Sequence, residues 1–578
     1  MKRLKAVFCS INSKYIHSSL SVWYLYASAK KHCSEDVRLS VVEGTINEKE
    51  EALLKRLLSE NADVIAFSSY IWNIRTVLSL SEKLKNEGIK IILGGPEVSF
   101  NQREVLSENS FVDFISSGEG ERSVPLLLNC LCAESESYPD GIGYRKNGEI
   151  IEGTPQIVSV DEIPSPYCEE YFSSLGNRIT YIESSRGCPF GCAFCLSGKE
   201  GKVRFFDLEK VKGNMLSLVN HGAKTVKFVD RTFNCNKEHA KEILTFIKEN
   251  HGGKIPSDVC FHFEIAADIM ENGLMEIVAG MPLGSVQFEV GIQSFNENTL
   301  RLINRKTDLK RVTENVKRLL SFGNCHIHID LIAGLPEEDF ESFRSSFNKA
   351  YEIGADMLQL GFLKILHGSP MSEKRELYPC EYSAEPPYEV ISTPWINENE
   401  LSVLHKCENE LERLYNSGRF RRTLRYVLSV CGKTPFDLFV EMSGFLEDKG
   451  EKGSIPLDKY TNLAFLFFSS LDGVDKAALR DRMLLDRITT NSSDVIPEAL
   501  KVEDKKLSKV KKAFAKLYPP KKGEKRTVAI LYTENKAVLV SYENKNPVSR
   551  EYLFTEYDID ELLHQLSNET AELCRVVN

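Results

Sequence analysis

Arg186-Gly-Cys-Pro-Phe-Gly-Cys-Ala-Phe-Cys195 sets three cysteines, Cys188, Cys192 and Cys195, at C-x3-C-x2-C spacing directly after a strand-like run, Ile179 to Ser184. Three thiolates on one tight loop can hold three irons of a four-iron cluster. No fourth cysteine follows in the loop, as one does in ferredoxin-type runs, so one iron is left open. Gly187, Pro189 and Gly191 suit a backbone that must turn sharply and wrap closely. The competing reading is zinc, but structural zinc takes four protein ligands, usually from paired knuckles, and none is paired here. Cys235 or Cys168 would have to complete it.

Outward from this loop, residues 179 to about 368 alternate six strands with helices: Ile179 to Ser184, Val226 to Val229, Phe261 to Ile265, Val286 to Ile292, His326 to Ile332 and Leu358 to Ile365. That pattern predicts a partial (β/α)6 barrel, whose chemistry belongs on loops at the carboxyl ends of the strands. Asp230, Glu264, Asp268, Glu289, Gln293, Asp330, Gly334 and His367 fall at or near those ends. Carboxylates inside a barrel are costly unless paired or bound to something, so their recurrence argues for a polar ligand. The helices between the strands carry an outer apolar stripe and no chemistry.

Upstream, residues 4 to about 135 hold five short β-branched strands, Leu4 to Ile11, Val37 to Val42, Val64 to Ser68, Ile89 to Leu93 and Val112 to Ile115, with amphipathic helices between them. Such runs imply a parallel, doubly wound, flavodoxin-like sheet with its ligand at the carboxyl ends of the strands. Those ends carry Asn12 to His17, Ser68-Ser-Tyr-Ile-Trp72, Gly94-Gly-Pro-Glu97 and Gly118-Glu-Gly-Glu121. The Gly94–Gly95 pair permits close backbone approach, and Ser68 and Ser69 offer hydroxyls at the same level.

The cysteine spacing, with Phe194 before the third cysteine, resembles the signature of the radical S-adenosylmethionine enzymes. The upstream order of Ser-Ser-Tyr, Gly-Gly-Pro-Glu and Gly-Glu-Gly-Glu resembles the cobalamin-binding domain that precedes many of them. The resemblance covers about the first two-thirds of the chain. It implies a [4Fe-4S] cluster on Cys188, Cys192 and Cys195, with S-adenosylmethionine on the open iron. It also implies S-adenosylmethionine contacts at Phe194, Asp230, Glu289, Gln293, Asp330 and Gly334, for each of which a capping or network role is an equal reading. Cobalamin contacts are implied at Ser68, Ser69, Tyr70, Gly94, Gly95, Glu97, Gly118 and Glu119. The D-x-H-x-x-G pattern of histidine-ligated cobalamin proteins is absent. His17 lies in the right loop with the wrong neighbours, so a packing role is expected of it.

In family terms a 5′-deoxyadenosyl radical abstracts hydrogen from an unactivated carbon, and cobalamin carries a methyl group. The implied function is C-methylation, with radical cyclisation or rearrangement as the runner-up and a cobalamin or redox sensor as the non-enzyme reading. The implied partners are an unidentified, small-molecule substrate and a flavodoxin- or ferredoxin-type electron donor.

Division follows at 1–135, 136–178 (a linker with small strands, Tyr144 to Ile151, stiffened by Ile163-Pro-Ser-Pro-Tyr167), 179–394, 395–520 and 521–578. The last third reads as helices, a lysine-rich solvated linker from Lys501 to Lys525, a hairpin and a final helix. Arg413, Arg419, Arg421, Arg422 and Arg425 read as a solvated face or as a basic patch toward substrate. Methyl transfer requires the two carboxyl-end rims to face each other. Gly94, Gly95 and Glu97 are therefore expected beside Cys188 and Glu289, with the arginine region at the border as a lid.

At 578 residues, 42% hydrophobic and 27% charged, the chain has a globular composition. A net charge of −10 gives no general attraction to nucleic acid. Fifteen cysteines without short regular spacing suggest a reducing compartment. No apolar run approaches the ~20 residues of a membrane span. The expected location is cytoplasmic.

Overall fold

The computed structural model describes residues 3–199, 202–451, 453–502 and 504–576. The first strands are β1 (Leu4–Asn12), β2 (Val37–Thr45), β3 (Val64–Ser68), β4 (Lys90–Gly94) and β5 (Phe114–Ser116), followed by the hairpin β6 (Ile142–Lys146) and β7 (Glu149–Ile151). They form one sheet in the order β2-β1-β3-β4-β5-β6-β7. The first five strands are parallel, and the hairpin adds antiparallel to β5, so these small strands belong to the first sheet. Alternate residues of β1 face opposite cores: Val7, Cys9 and Ile11 pack beneath helices of the same domain. Leu4, Ala6 and Phe8 join the large core that continues through the rest of the chain.

The second sheet contains β8 (Thr180–Ile182), β11 (Thr225–Phe228), β12 (Cys260–Ile265), β13 (Val286–Gln293), β14 (His326–Ala333) and β15 (Met357–Phe362). All are parallel, in chain order from β8 at one edge to β15 at the other. Between β8 and β11 the cysteine loop is pinched at its base by β9 (Ser185–Arg186) and β10 (Arg204–Phe205), an antiparallel pair. Gly187, at φ 94°, is required there, since a Cβ would stand 2.4 Å from the Lys202 carbonyl oxygen.

Beyond the barrel, a small hairpin, β16 (Glu381–Tyr382) and β17 (Val390–Ser392), leads into the helices Glu398–Glu410, Arg421–Val430, Pro435–Asp448, Leu457–Phe468 and Lys476–Thr490. The lysine-rich stretch expected to be a solvated linker contains a helix, Lys505–Leu517. Leu507, Val510, Phe514 and Leu517 recur at helical spacing beneath the lysines and pack in a core of their own. The expected hairpin is a three-stranded sheet, β18 (Arg526–Leu531), β19 (Lys536–Lys545) and β20 (Tyr552–Asp558). Among the described residues no helix is long and apolar enough to cross a membrane.

Candidate active site at the junction of two sheets

Cys188 and Cys192 are buried and Cys195 is half-buried. The loop is anchored by Ala193 N–H to the Ile303 carbonyl and by Met371 N–H to the Ala193 carbonyl. Arg305 donates from Nη1 to Cys192 Sγ at 3.5 Å, and Ser197 N–H reaches Cys195 Sγ at 3.4 Å. Among the described residues, the one group of His, Cys, Asp or Glu converging within 4.8 Å is Glu289, His328 and Asp330, so the three sulfurs are spread wider than that. Three thiolates on one loop can hold three irons of a four-iron cluster.

Ser184 and Ser185, just past the end of β8, bind Asp230. Its Oδ2 accepts Ser184 N–H at 3.0 Å, while Oδ1 accepts both hydroxyls, at 2.7 and 2.5 Å. This carboxylate is occupied by the chain, the capping role that the sequence left open. Gln293 sits at a register shift after Gly291, with φ 73°, which a non-glycine residue rarely adopts. The bulge redirects its side chain. Arg305 Nε is buried there without a hydrogen-bond partner, so the upper barrel keeps polar capacity for a ligand. Gly334 turns at φ 84° with Val390 of β17 beside it. Next to it, Glu338 accepts from Ser294 and Ser346 at 2.6 and 2.9 Å, and burial pushes its carboxyl up to about 7.

One level down, His262, Glu264, Glu289 and His328 alternate with outward Phe261, Phe263, Phe288 and Ile327. Asp330 Oδ1 lies 3.1 Å from His328 Nε2, His328 Nδ1 lies 3.7 Å from Glu289 Oε2, and His262 Nε2 lies 2.9 Å from the same oxygen. Glu289, His328 and Asp330 thus stand in a chain of acids and imidazoles, one ligand atom of each lying within 4.8 Å of the others. Burial alone would lower His328, but Asp330 and Glu289 outweigh it and raise it. Glu264, pushed up to about 7 by burial, completes the layer. His262 and His328 were legible only as strict two-residue alternation within Cys-Phe-His-Phe-Glu and His-Ile-His-Ile-Asp. Arg305 carried no such signal.

On the first sheet, Ser10, Ser68, Gly94 and Ser116 pair across four strands at their carboxyl ends. The row spans the β1/β3 boundary, where the strand order reverses. Ser10 Oγ and Ser69 Oγ are buried without a partner, which fits a polar ligand chain laid along this trough. Tyr70 and Trp72 stack beside it, ring centroids 4.5 Å apart. Gly95 (φ 105°) presses on Ser69, whose carbonyl oxygen would stand 2.5 Å from a Cβ.

The two rims meet. Arg186 Nη2 pairs with Glu121 at 2.6 Å and with Glu183 at 3.0 Å, Arg186 Nη1 lies 3.4 Å from Glu119, and Arg204 Nη2 pairs with Glu119 at 2.6 Å. The Gly118-Glu-Gly-Glu121 carboxylates thus join the domains. Gly118 itself bridges to Gln156. His17 bonds Tyr181 Oη through Nδ1 at 2.6 Å and bridges to Ile179, alongside a buried pair between Arg178 and Glu43 at 2.8 Å. Glu97 reaches Tyr388 beyond the barrel, and Phe100 lies against Gly368.

The arginine cluster is elsewhere. Asn416 bonds both backbone groups of Leu358 at the start of β15, Arg421 faces Asp356 at 3.7 Å, and Arg422 pairs with Asp486 at 3.1 Å. These residues close the free edge and the amino end of the barrel, opposite the cysteine loop. The expectation of a basic lid over the site is therefore corrected: Arg413, Arg421 and Arg422 answer Glu410, Asp356 and Asp486 of the chain itself, a requirement that an isolated reading of the cluster does not reveal.

Residues 8–128 match the model of the B12 binding domain, 182–350 that of the radical SAM superfamily, and 376–559 a protein family of unknown function, DUF4080. The chain is 27% identical over 320 residues to an uncharacterized methyltransferase, PH0819, of Pyrococcus horikoshii, covering 53% of this chain and 67% of that protein. It is 26% identical over 345 residues to the cobalamin-dependent radical SAM methyltransferase TokK of Streptomyces tokunonensis, covering 55% and 49%. It is also 24% identical over 323 residues to the anaerobic magnesium-protoporphyrin IX monomethyl ester cyclase of Cereibacter sphaeroides, covering 53% and 52%. The chain thus spans about half the length of the last two. The solved structure of OxsB, a cobalamin-dependent S-adenosylmethionine radical enzyme, with aqua-cobalamin bound superposes with a TM-score of 0.57 at 14% identity, over 84% of this chain and 79% of that one. At that identity the likeness is one of fold. The two named domains bring cobalamin, S-adenosylmethionine and a [4Fe-4S] cluster as cofactors.

Proposed function

We propose that this chain, a B12 binding domain joined to a radical S-adenosylmethionine domain, is an enzyme that methylates an unactivated carbon of a small-molecule substrate. The observation that supports this reading best is the meeting of the two carboxyl-end rims, tied by Arg186 to Glu121 and by Glu97 to Tyr388. Groups that must react in sequence gain most from being held together in one water-poor space.

When bound, the cluster and S-adenosylmethionine supply one-electron activation of carbon, and cobalamin supplies the methyl group. The chain's part is to hold and enclose. Cys188, Cys192 and Cys195 would bind the cluster, with Arg305 placing an N–H on Cys192. Phe194, Gln293, Asp330, Arg305 and the Gly334 turn would line the S-adenosylmethionine site, while Asp230 holds the strand end that aims the loop. Ser68, Ser69, Tyr70, Gly94, Gly95 and Glu97 would line the cobalamin site. Gly118 and Glu119 act on it through the domain interface. An external low-potential electron donor completes the scheme.

A second reading, ring formation without methyl transfer, draws support from the likeness to the protoporphyrin ester cyclase. Anaerobic reconstitution with iron, sulfide, hydroxocobalamin and S-adenosylmethionine separates the two. S-adenosylhomocysteine together with 5′-deoxyadenosine supports methylation, and 5′-deoxyadenosine alone supports the cyclase reading. Neither product would defeat both.

A further inference from the structure

We propose that the β16–β17 hairpin, the first part of the DUF4080 region, is a third wall of the cobalamin site. Within it, Tyr388 is a positioning residue that holds the Glu97 carboxylate to accept an N–H donor from the amide groups around the cofactor's rim. The inference rests on the cobalamin reading above and gives a role to part of the region matched by a family model of unknown function.

The hairpin is fixed on both sides. Toward the barrel, Tyr388 carbonyl accepts from Ile365 N–H at 3.0 Å, Val390 N–H donates to the Leu363 carbonyl at 2.9 Å, and Glu389 bridges to Lys364. The Tyr388 backbone is left-handed, φ 58°. Its ring stands edge-on to His367, centroids 4.8 Å apart. Toward the first sheet, Tyr388 Oη donates to Glu97 Oε2 at 2.8 Å. Arg75 of the first domain pairs with Glu385 on the solvent side of the same loop. Phe100 is pressed on Gly368, where a Cβ would come within 2.3 Å of the ring.

Glu97 is 5% exposed, and among the described residues the Tyr388 phenol is the one hydrogen bond to its side chain. A carboxylate has room for about four donors, and a buried one with a single donor is expensive unless something else supplies the rest. It follows the Gly94-Gly95-Pro96 turn at the carboxyl end of β4, one strand beyond Ser68 and level with the serine trough. What would lie there is the rim of a ligand whose periphery is rich in amide N–H groups. The Tyr388 bond fixes which way the remaining lone pairs point.

The test is binding of hydroxocobalamin to the full chain, read by equilibrium dialysis and by visible absorbance. Tyr388→Phe and Glu97→Gln should each weaken binding about tenfold, as expected for losing a hydrogen bond to a charged group. In the double variant the Tyr388→Phe loss should vanish, because Tyr388 acts through Glu97; full additivity would mean a merely structural role and overturn the proposal. Hydrogen exchange of the wild-type chain provides a readout without mutation: cobalamin should protect backbone amides at 383–392. Wild-type binding with no such protection, or wild-type affinity in Tyr388→Phe, refutes the wall while leaving cobalamin binding intact. A wild-type chain that binds no cobalamin fails the underlying reading instead.

Discussion

Arg186 Nη2 stands 2.6 Å from Glu121 Oε1, so the residue that opens the cysteine loop is paired with a carboxylate of the other domain. Tyr24 and Phe206 shelter the guanidinium, at 5.1 and 5.9 Å from the ring centroids. Removing one partner from a buried ion group leaves uncompensated charge, at about 3–5 kcal/mol. Arg186→Met should therefore lower unfolding free energy by that order and loosen cobalamin and the cluster together. Denaturant titration with parallel iron and cobalamin assays checks this. Wild-type stability in the variant would show that the domains are joined by other means.

Cluster chemistry should depend on each sulfur singly. Alanine at Cys188, Cys192 or Cys195 is expected to reduce iron content and abolish reductive cleavage of S-adenosylmethionine. Arg305→Leu should keep iron but move the cluster's reduction potential downward, since an N–H to sulfur favours the more negative, reduced state. Redox titration followed by electron paramagnetic resonance measures it, and an unchanged or raised potential contradicts the assignment.

Glu338 predicts a pH dependence of stability. Its folded pKa, about 7, lies above the unfolded value, so between pH 4.5 and 7 the folded state holds a proton that the unfolded state has lost. Stability from this group is full below the unfolded pKa and falls as pH rises through the folded one, by about 3 kcal/mol in all. Glu338→Gln should flatten that slope and narrow the gap to wild type above pH 7. A wild-type slope of opposite sign over this range would contradict the burial argument, provided Glu264, also near 7, is controlled by Glu264→Gln.

Asn416 and Arg421 should behave as structural residues. Asn416→Ala removes two hydrogen bonds at the β15 edge and is expected to cost about 1–3 kcal/mol. Arg421→Ala is expected to cost less, its pair with Asp356 being long at 3.7 Å. Neither should change cobalamin affinity or the yield of 5′-deoxyadenosine per cluster. A selective loss of turnover with unchanged melting temperature would restore the arginine region to the site.

Sequence alone determined the local periods and the tight loops. Apolar runs placed the five parallel strands of the first sheet, because a strand buried on both faces has few alternatives to a continuous apolar run, and apolar residues at every second position marked barrel strands such as β13 and β14. The spacing of Cys188, Cys192 and Cys195 set the chemistry of one loop, since a chelating loop is local in sequence. Where a helix hid beneath lysines, at Lys505–Leu517, the apolar residues were present and charge obscured them. Only the tertiary structure decided which polar residues serve each other. Asp230 is taken up by serines 45 and 46 residues away, Glu119 by Arg204 at 85, and Glu97 by Tyr388 at 291. A hydrogen bond or ion pair is short-ranged in space but carries no fixed spacing along the chain. Whether a carboxylate faces a ligand or a neighbouring arginine is therefore settled by how the two sheets pack, and by nothing local to it.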